Sequence, residues 1–161
     1  MKYLIDGYNL IHRTGIIDRC ANDINLSREK LEASLGAYLA SRRGIKAVIV
    51  YDSRHNTSAV RSPGTGRLSI IFSAGDADAK IGALIRNEKK IRELVVVSTD
   101  KRHVISSAKS YGADYMLAER FWKMITKRNP GRAPGERAGK HQSPETTDWY
   151  EKILRKKGKL R

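Results

Sequence analysis

Short apolar runs that end in an aspartate recur along this chain, and they constrain its fold more than any other feature. Three carboxylates stand in this position: Asp6 after residues 2–5, Asp52 after residues 46–51, and Asp100 shortly after residues 94–97. The second run is apolar on both faces, as in strands of a parallel sheet that helices cover on both sides. Because parallel strands end at a common edge, where open α/β sheets bind ligands, the sequence predicts that these carboxylates lie close together.

Helical patterns lie between most of these runs, and this alternation predicts an α/β fold with a mainly parallel sheet. About five strands are expected, over residues 2–5, 46–51, 68–72, 94–97 and 114–117. Helices are expected over residues 27–43, from about residue 76, over residues 101–111 and over residues 119–126. The first strand is expected to lie centrally, as is usual in such sheets.

Local signals predict where these elements begin and end. Ser27 is expected to cap the first helix and Gly44 to end it. Gly7 is expected to let the backbone turn sharply after the first strand. Residues 8–25 show no clean period and are predicted to be a loop or a broken helical segment. Residues 53–67 are predicted to be a polar loop, which leaves the direction of the third strand open.

A large positive charge indicates what the chain binds. Its 161 residues include 32 Lys and Arg against 17 Asp and Glu, a net charge of +15. An excess of this size favours a polyanionic partner, nucleic acid before an anionic membrane surface. Five basic residues on the predicted carboxylate edge are candidates for binding the phosphates of a nucleic acid, although each alone is also explained as a surface charge: Arg54, Arg61, Arg67, Lys80 and Lys101.

The rest of the composition limits location and domain organisation. Cys20 is the single cysteine, so a disulfide or a cysteine-based zinc site within the chain is excluded. We expect no signal peptide and no membrane span, and therefore a cytoplasmic protein. Residues 1–128 are predicted to form the folded domain, residues 129–142 a basic linker rich in Pro and Gly, and residues 143–161 a basic C-terminal helix.

One further carboxylate joins the predicted cluster from a helix. Asp78 lies in the first turn after the third strand, whereas Asp76 points elsewhere and is better placed to cap that helix. Carboxylates packed closely repel one another unless a cation binds or some stay protonated. Mg²⁺ or Mn²⁺ is the natural match, because these hard cations prefer oxygen ligands. Such ions activate water and stabilise charge at a phosphodiester.

Each candidate also has an ordinary structural explanation. Asp6 and Asn9 are residue types that close turns through their side chains. Asp100 is a suitable cap for the helix that follows it. Asp52 is equally well explained as a second metal ligand or as a loop residue. The residues alone leave these alternatives open.

Four segments in this order resemble the NYN domain, and more closely its YacP-like bacterial branch, which is related to PIN-domain ribonucleases: Leu4-Ile5-Asp6-Gly7-Tyr8-Asn9, Val50-Tyr51-Asp52, Ala77-Asp78-Ala79-Lys80-Ile81 and Val97-Ser98-Thr99-Asp100. The resemblance covers about residues 1–125. It implies a PIN-like three-layer α/β/α sandwich and a metal-dependent endoribonuclease that hydrolyses RNA. By motif match it implies that Asp6, Asp78 and Asp100 bind Mg²⁺ or Mn²⁺, with Asn9 and Asp52 as accessory catalytic residues.

Two departures from the family pattern leave questions open. The extra acid Asp76 leaves open which member of its pair with Asp78 is the ligand. The basic tail after Asn129 leaves open whether it binds RNA or docks on a larger particle such as the ribosome. The main alternative function is a non-catalytic RNA- or ribosome-binding module whose acids are structural. A TOPRIM-like site is disfavoured, because it expects a Glu where this chain has Asp6.

Overall fold

A six-stranded sheet forms the centre of the fold in a computed structural model that describes residues 1–53, 59–63 and 66–127. Its strands are β1 (Lys2–Asp6), β2 (Lys46–Ser53), β3 (Ala59–Arg61), β4 (Leu68–Ala74), β5 (Leu94–Val97) and β6 (Asp114–Met116). They lie side by side in the order β3-β4-β2-β1-β5-β6. Neighbouring strands are parallel except for β3 and β4, which are antiparallel. The mainly parallel sheet predicted from the sequence is confirmed.

Helices connect β1 to β2, β4 to β5 and β5 to β6, whereas β2 and β4 are joined through β3. The helices are α1 (Gly7–Arg13), α2 (Ile16–Arg19), α3 (Ile24–Ala40), α4 (Ala77–Arg86), α5 (Val104–Tyr111) and α6 (Ala118–Thr126), with a short 3₁₀ helix at Ile91–Glu93. The segment expected to be a loop or broken helix is therefore the two short helices α1 and α2. These connections carry the chain back across the sheet, so that each parallel strand runs in the same direction.

β1 occupies the central position that was predicted for it. It pairs on one side with β2, where Asp6 lies opposite Val50, and on the other with β5, where Ile5 lies opposite Val97. The carboxyl ends of the three strands therefore share one edge of the sheet. We call it the carboxylate edge, because Asp6, Asp52 and Asp100 lie at or just beyond these strand ends.

Helices cover both faces of the sheet, which confirms a three-layer α/β/α arrangement. On one face, Leu4 and Val96 share a core cluster with Ile81 of α4 and Val104 of α5. On the other face the ring of Tyr3 lies against Phe121 of α6, with 5.0 Å between the ring centroids. Helices α1 and α3 also pack against α6 there. Alternate residues of β1 thus point into two separate apolar layers, as expected for a strand buried on both sides.

The first long helix begins earlier than predicted. Its cap is Asp23, whose Oδ1 accepts hydrogen bonds from the backbone N–H groups of Asn25 and Leu26 at 2.9 and 3.1 Å. The prediction that Ser27 is the cap was wrong, since Ser27 is buried inside α3 and its hydroxyl donates to the carbonyl of Asp23. Asp23 is as good a cap as Ser, and the apolar pattern that begins only at Leu26 had hidden the first turn. The helix ends at Ala40, before the predicted stop at Gly44.

Other differences concern strand ends. The polar loop predicted over residues 53–67 contains β3, which pairs with β4 through Val60 opposite Ile71. β2 continues to Ser53, so Asp52 lies inside the strand rather than after it. The open direction of the third predicted strand is settled, because β4 runs parallel to β2. The helix predicted over residues 101–111 begins at Val104, after a turn.

Gly7 is needed for a reason other than the predicted one. It begins α1 with no left-handed backbone angle, so conformational freedom is not what the position requires. A Cβ atom added there would lie 2.4 Å from Cε1 of Tyr51 and 2.9 Å from Cγ2 of Ile49. Both neighbours are completely buried. Gly7 therefore permits the close approach of α1 to β2.

The C-terminal predictions fall outside the described residues. The linker predicted over residues 129–142 and the basic helix predicted over residues 143–161 both lie there, as does the predicted domain boundary at residue 128. In the part that is described, no helix has the length and apolar character to cross a membrane.

Candidate active site

Asp6 is the most deeply placed carboxylate of the edge. It ends β1 with only 9% of its surface exposed. The hydroxyl of Ser98 donates to its Oδ2 at 3.2 Å, and the backbone N–H of Asn9 lies 3.4 Å from its Oδ1. Asp6 thus caps α1, as the turn-closing alternative proposed, and is at the same time tied to the end of β5. Its position is therefore determined by two neighbouring elements.

The environment of Asp6 disfavours its charged form. Burial, and after it the nearby charges of Asp78 and Asp100, raise the pKa of Asp6 to about 6. The hydrogen bonds from Asn9 and Ser98 act in the opposite direction but do not offset burial. The repulsion expected of a carboxylate cluster is therefore present among Asp6, Asp78 and Asp100.

Ser98 connects two of these acids. Its side chain is completely buried, and its Oγ both donates to Asp6 and accepts from the backbone N–H of Asp100 at 3.1 Å. Oδ1 of Asp100 in turn accepts from the backbone N–H groups of Arg102 and His103. The capping alternative for Asp100 is thus partly realised, since the side chain caps the turn before α5. One carboxylate oxygen is used in this way, and Oδ2 is the atom that Asp100 has to offer a ligand.

Asn9 joins α1 to the segment after β5. Its Oδ1 accepts from both the backbone N–H and the hydroxyl of Thr99, each at 2.9 Å. Because a backbone N–H can only donate, these bonds determine which end of the amide faces Thr99. The NH₂ group of Asn9 therefore points away from Thr99, as a donor held in one orientation.

Asp76 has the capping role that was predicted for it, and Asp78 lies in the first turn of the same helix. Asp76 caps α4, and its Oδ1 accepts from the backbone N–H of Asp78 at 2.9 Å. Asp78 is half-buried, and its pKa is raised by burial first and then by the charges of Asp100 and Asp76. The charge of Asp78 also raises the pKa of Asp6, whereas Asp76 is exposed. Of the pair, Asp78 is the acid that faces the other carboxylates.

Asp52 lies farther from the centre of the cluster. It is exposed on β2, opposite Ser73 of β4. Its charge contributes to the raised pKa of Asp78 less than burial and the charges of Asp100 and Asp76 do. The edge therefore brings Asp6, Asp78 and Asp100 together and leaves Asp52 at its margin.

The donor set of this edge fits a hard divalent cation. Within the described ranges, no group of three or more His, Cys, Asp or Glu side chains is gathered closely enough to hold a metal ion by itself. Mg²⁺ does not require such a cage, because proteins usually hold it by one or two carboxylates with waters and substrate phosphates. Asp6, Asp78 and Asp100 supply carboxylate oxygens, and the latter two lie near enough to raise the pKa of Asp6.

The predicted RNA-binding residues are scattered. The prediction that Arg67 lies on the carboxylate edge was wrong. Arg67 precedes β4 at the opposite edge of the sheet, where it donates to the carbonyl of Arg42. Arg61 on β3 forms an ion pair with Glu32 at 3.0 Å. Lys80 and Lys101 are exposed, on α4 and just after Asp100. Arg54 lies outside the described residues.

A basic groove beside Thr99 was missed apart from one residue. It is lined by four basic side chains, Arg13, Lys101, Arg120 and Lys123, together with Thr99, Leu117 and Glu119. These side chains come from the end of α1, the segment after β5, and α6. The fold brings these side chains together from separate segments. The one signal in the sequence was that Arg120 and Lys123 lie three residues apart, on the same face of a predicted helix.

Comparisons with known proteins agree with this architecture. A crystal structure of Rae1 (YacP) from Bacillus subtilis has a TM-score of 0.57 and 17% identity, covering 99% of this chain and 80% of that chain. A mutant of the same protein has a TM-score of 0.57 and 22% identity, covering 78% of this chain and 74% of that chain. No curated protein sequence matches the chain. The sequence profile of the YacP-like NYN domain matches residues 3–161. The chain therefore belongs to the YacP-like NYN domain family, a family of PIN-like ribonucleases.

Proposed function

We propose that this protein is a metal-dependent endoribonuclease that hydrolyses RNA phosphodiester bonds at the carboxylate edge. The environment of Asp6 carries the proposal. This carboxyl group is buried at the end of the central strand, and Asp78 and Asp100 act on it from two other elements. A buried carboxylate that faces two others is costly for the folded protein unless a cation compensates their charge.

Asp6, Asp78 and Asp100 are the residues that would hold Mg²⁺ or Mn²⁺. When bound, such an ion supplies charge stabilisation at the phosphodiester and lowers the pKa of a bound water. The side chains of the protein hold the donors in place for this chemistry. Ser98 orients Asp6 through its hydroxyl, and the capped turn after Asp100 orients that carboxylate.

Asn9 is the proposed contact to the reacting phosphate. Its carbonyl oxygen is engaged by Thr99, so its NH₂ group is the end available to donate to a phosphate oxygen. Donors held in advance at a reacting phosphate stabilise the charge that develops there without reorganising during the reaction.

The basic groove supports RNA as the substrate. The groove begins beside Thr99, which is hydrogen-bonded to Asn9, and its basic side chains continue along α6. Lys and Arg side chains along a groove bind successive phosphates of a nucleic acid irrespective of its sequence. A strand bound in the groove would therefore lead directly to the carboxylate edge.

A non-catalytic RNA- or ribosome-binding module is the second candidate, and one observation favours it. Asp76 and Asp100 both accept hydrogen bonds from backbone N–H groups, a structural task that needs no metal. The basic groove would serve such a module equally well. In this second proposal the ribosome is a candidate binding partner.

Incubation of the protein with labelled single-stranded RNA tests the first proposal. Cleavage is expected with Mn²⁺ or Mg²⁺ and is expected to stop with EDTA. Asp6→Asn should lower the rate by about two orders of magnitude or more, the scale of losing a main electrostatic group. Asp114→Asn, at an exposed position on β6, is the matched control. Undiminished cleavage by Asp6→Asn would refute the site, and salt-sensitive binding without cleavage would favour the module.

A further inference from the structure

A second cavity opens at the carboxylate edge, on the β2 side of Asp6. Its volume is about 680 Å³, within the usual range for pockets that bind small ligands. The basic groove lies beside the segment after β5 instead, and α1 contributes to both, with Arg13 in the groove and His12 in this cavity. Aromatic and polar side chains dominate the cavity lining: Tyr8, His12, Asn25, Arg28, Asp52 and Phe72.

Hydrogen bonds and ring contacts hold the planar side chains of the cavity, the Arg28 guanidinium and the rings of Tyr8 and Phe72, in position. Arg28 donates to the hydroxyl of Tyr8 at 3.2 Å and to Oδ1 of Asn25. Its guanidinium carbon lies 5.3 Å from the centroid of the Phe72 ring. Tyr8 and Phe72 are both partly exposed and both pack on the buried ring of Tyr51. Aromatic rings and Arg guanidinium planes are the surfaces on which unpaired bases stack.

Two amides are among the hydrogen-bonding groups that line the cavity. Asn25 has its Oδ1 engaged by Arg28, so its NH₂ group is the end it can present. Asn22 is exposed and lines the cavity from a turn in which both Ala21 and Asn22 have left-handed backbone angles, with φ of 51° and 59°. Amide groups both donate and accept, as the edge of a nucleobase does.

The charge of the lining distinguishes this cavity from the basic groove. Arg28 is balanced by Asp52, whereas the basic groove holds four basic side chains against Glu119. A phosphate is therefore better accommodated in the groove, and a neutral base in the cavity. Asp52 lies two residues beyond Val50, the partner of Asp6 on β2, which is about 7 Å along the strand. A base in the cavity would thus belong to a nucleotide close to the phosphate at Asp6.

We infer that this cavity binds one unpaired nucleobase of the RNA strand, next to the phosphate that reaches Asp6. The inference rests on the proposed function for the identity of the polymer. It adds a requirement for an unstacked, single-stranded nucleotide at this position, because a base inside a duplex cannot enter such a cavity.

Binding of a fluorescent single-stranded RNA of about ten nucleotides, measured by anisotropy in EDTA, tests the inference without catalysis. Phe72→Leu keeps an apolar side chain and removes the ring, and it should weaken binding roughly tenfold, the scale of one lost stacking contact. Asn22→Gly removes the amide where Gly adopts the backbone angle freely, and it should weaken binding about threefold to tenfold without affecting folding.

The salt dependence of binding separates this site from the basic groove. For both variants the slope of log affinity against log salt concentration should equal that of the unmodified protein, because no phosphate contact is lost. Tyr115→Leu, which removes an exposed ring on β6, is the matched control and should bind RNA normally. Thermal unfolding checks that Phe72→Leu remains folded.

Three outcomes would overturn the inference. These are a protein that binds no RNA, variants that bind as tightly as the unmodified protein, or an equal loss in the Tyr115→Leu control. Because the assay contains EDTA, its result is independent of cleavage. Normal binding by Phe72→Leu and Asn22→Gly would refute the base site and leave the proposed nuclease intact. Loss of binding in these variants, with undiminished cleavage by Asp6→Asn, would support the base site and refute the proposed active site.

Discussion

The hydroxyl of Ser98 donates a 3.2 Å hydrogen bond to Oδ2 of Asp6, and this bond joins the ends of β1 and β5 beneath the surface. The same hydroxyl oxygen accepts from the backbone of Asp100. Ser98→Ala removes both bonds and leaves a buried carboxyl without one of its donors. We expect the free energy of unfolding to fall by about 1–3 kcal/mol, measured by urea denaturation. Ser110→Ala removes an exposed hydroxyl on α5 and should change stability little; equal losses in the two variants would contradict the account.

A side chain at Gly7 should destabilise the fold. Gly7→Ala places a methyl group against the buried ring of Tyr51, and an overpacked core position of this kind costs about 1–3 kcal/mol or more. Gly36→Ala is the matched control, because nothing lies within 4 Å of a Cβ at that position in α3. It should raise stability by about 0.5–1 kcal/mol. Thermal unfolding of both variants checks the prediction, and a neutral Gly7→Ala would show that Tyr51 moves aside freely.

The raised pKa of Asp6 predicts a pH-dependent loss of stability in the absence of metal. Below about pH 4 the carboxyl is protonated in both the folded and the unfolded chain. Between that pH and about 6 the unfolded chain releases its proton first, so the folded state loses stability as pH rises. Asp6→Asn does not titrate and should escape this loss.

The measurement is urea denaturation of Asp6→Asn and the unmodified protein in EDTA at pH 4 and pH 7. The stability of Asp6→Asn relative to the unmodified protein should increase by about 2–3 kcal/mol between the two pH values, because two pKa units at about 1.36 kcal/mol each set the upper end and the unfolded chain is already partly ionised at pH 4. Asp114→Asn is the control at an exposed position. An unchanged difference would mean that the folded protein does not disfavour the charged form of Asp6.

The basic groove predicts a specific salt dependence. Replacing Arg120 and Lys123 together with Gln removes two of its four basic side chains. RNA affinity should fall, and the slope of log affinity against log salt concentration should become shallower by about 1.4, at about 0.7 per phosphate contact on a single strand.

A matched pair of replacements removes the same charge elsewhere. Lys46 begins β2 at the opposite edge, and Lys89 follows α4. Replacing both with Gln should change the slope much less. Equal changes in the two double variants would indicate that net charge, rather than the groove, governs binding.

The sequence was sufficient to predict the edge of the sheet at which the acids meet. The apolar runs before Asp6 and Asp100 are local patterns. The carboxyl ends of parallel strands share one edge of a sheet, so these patterns predict that the two acids lie at the same edge. The role of Asp76 as a cap was likewise local, since it depends on a hydrogen bond from the backbone of Asp78, two positions along the chain. Such features need no knowledge of what packs against them.

The features that were missed depend on contacts between distant segments. Gly7 faces Tyr51 across 44 positions, and Ser98 reaches Asp6 across 92. Arg67 was assigned to the wrong edge because the direction of β4 depends on a strand, β3, inside a segment predicted to be a loop. The cavity on the β2 side of Asp6 combines residues from α1, α2, α3, β2 and β4, and no single segment of the sequence carries that pattern.

The most direct test of the central claim is Mn²⁺ binding, measured by electron paramagnetic resonance titration of the intact chain. We expect Asp6→Asn, Asp78→Asn and Asp100→Asn each to weaken Mn²⁺ binding by at least about tenfold, because each removes a carboxylate from the proposed site. Asp76→Asn should bind nearly normally, since that side chain caps α4. Unchanged Mn²⁺ affinity in Asp6→Asn, or a loss confined to Asp76→Asn, would contradict the account.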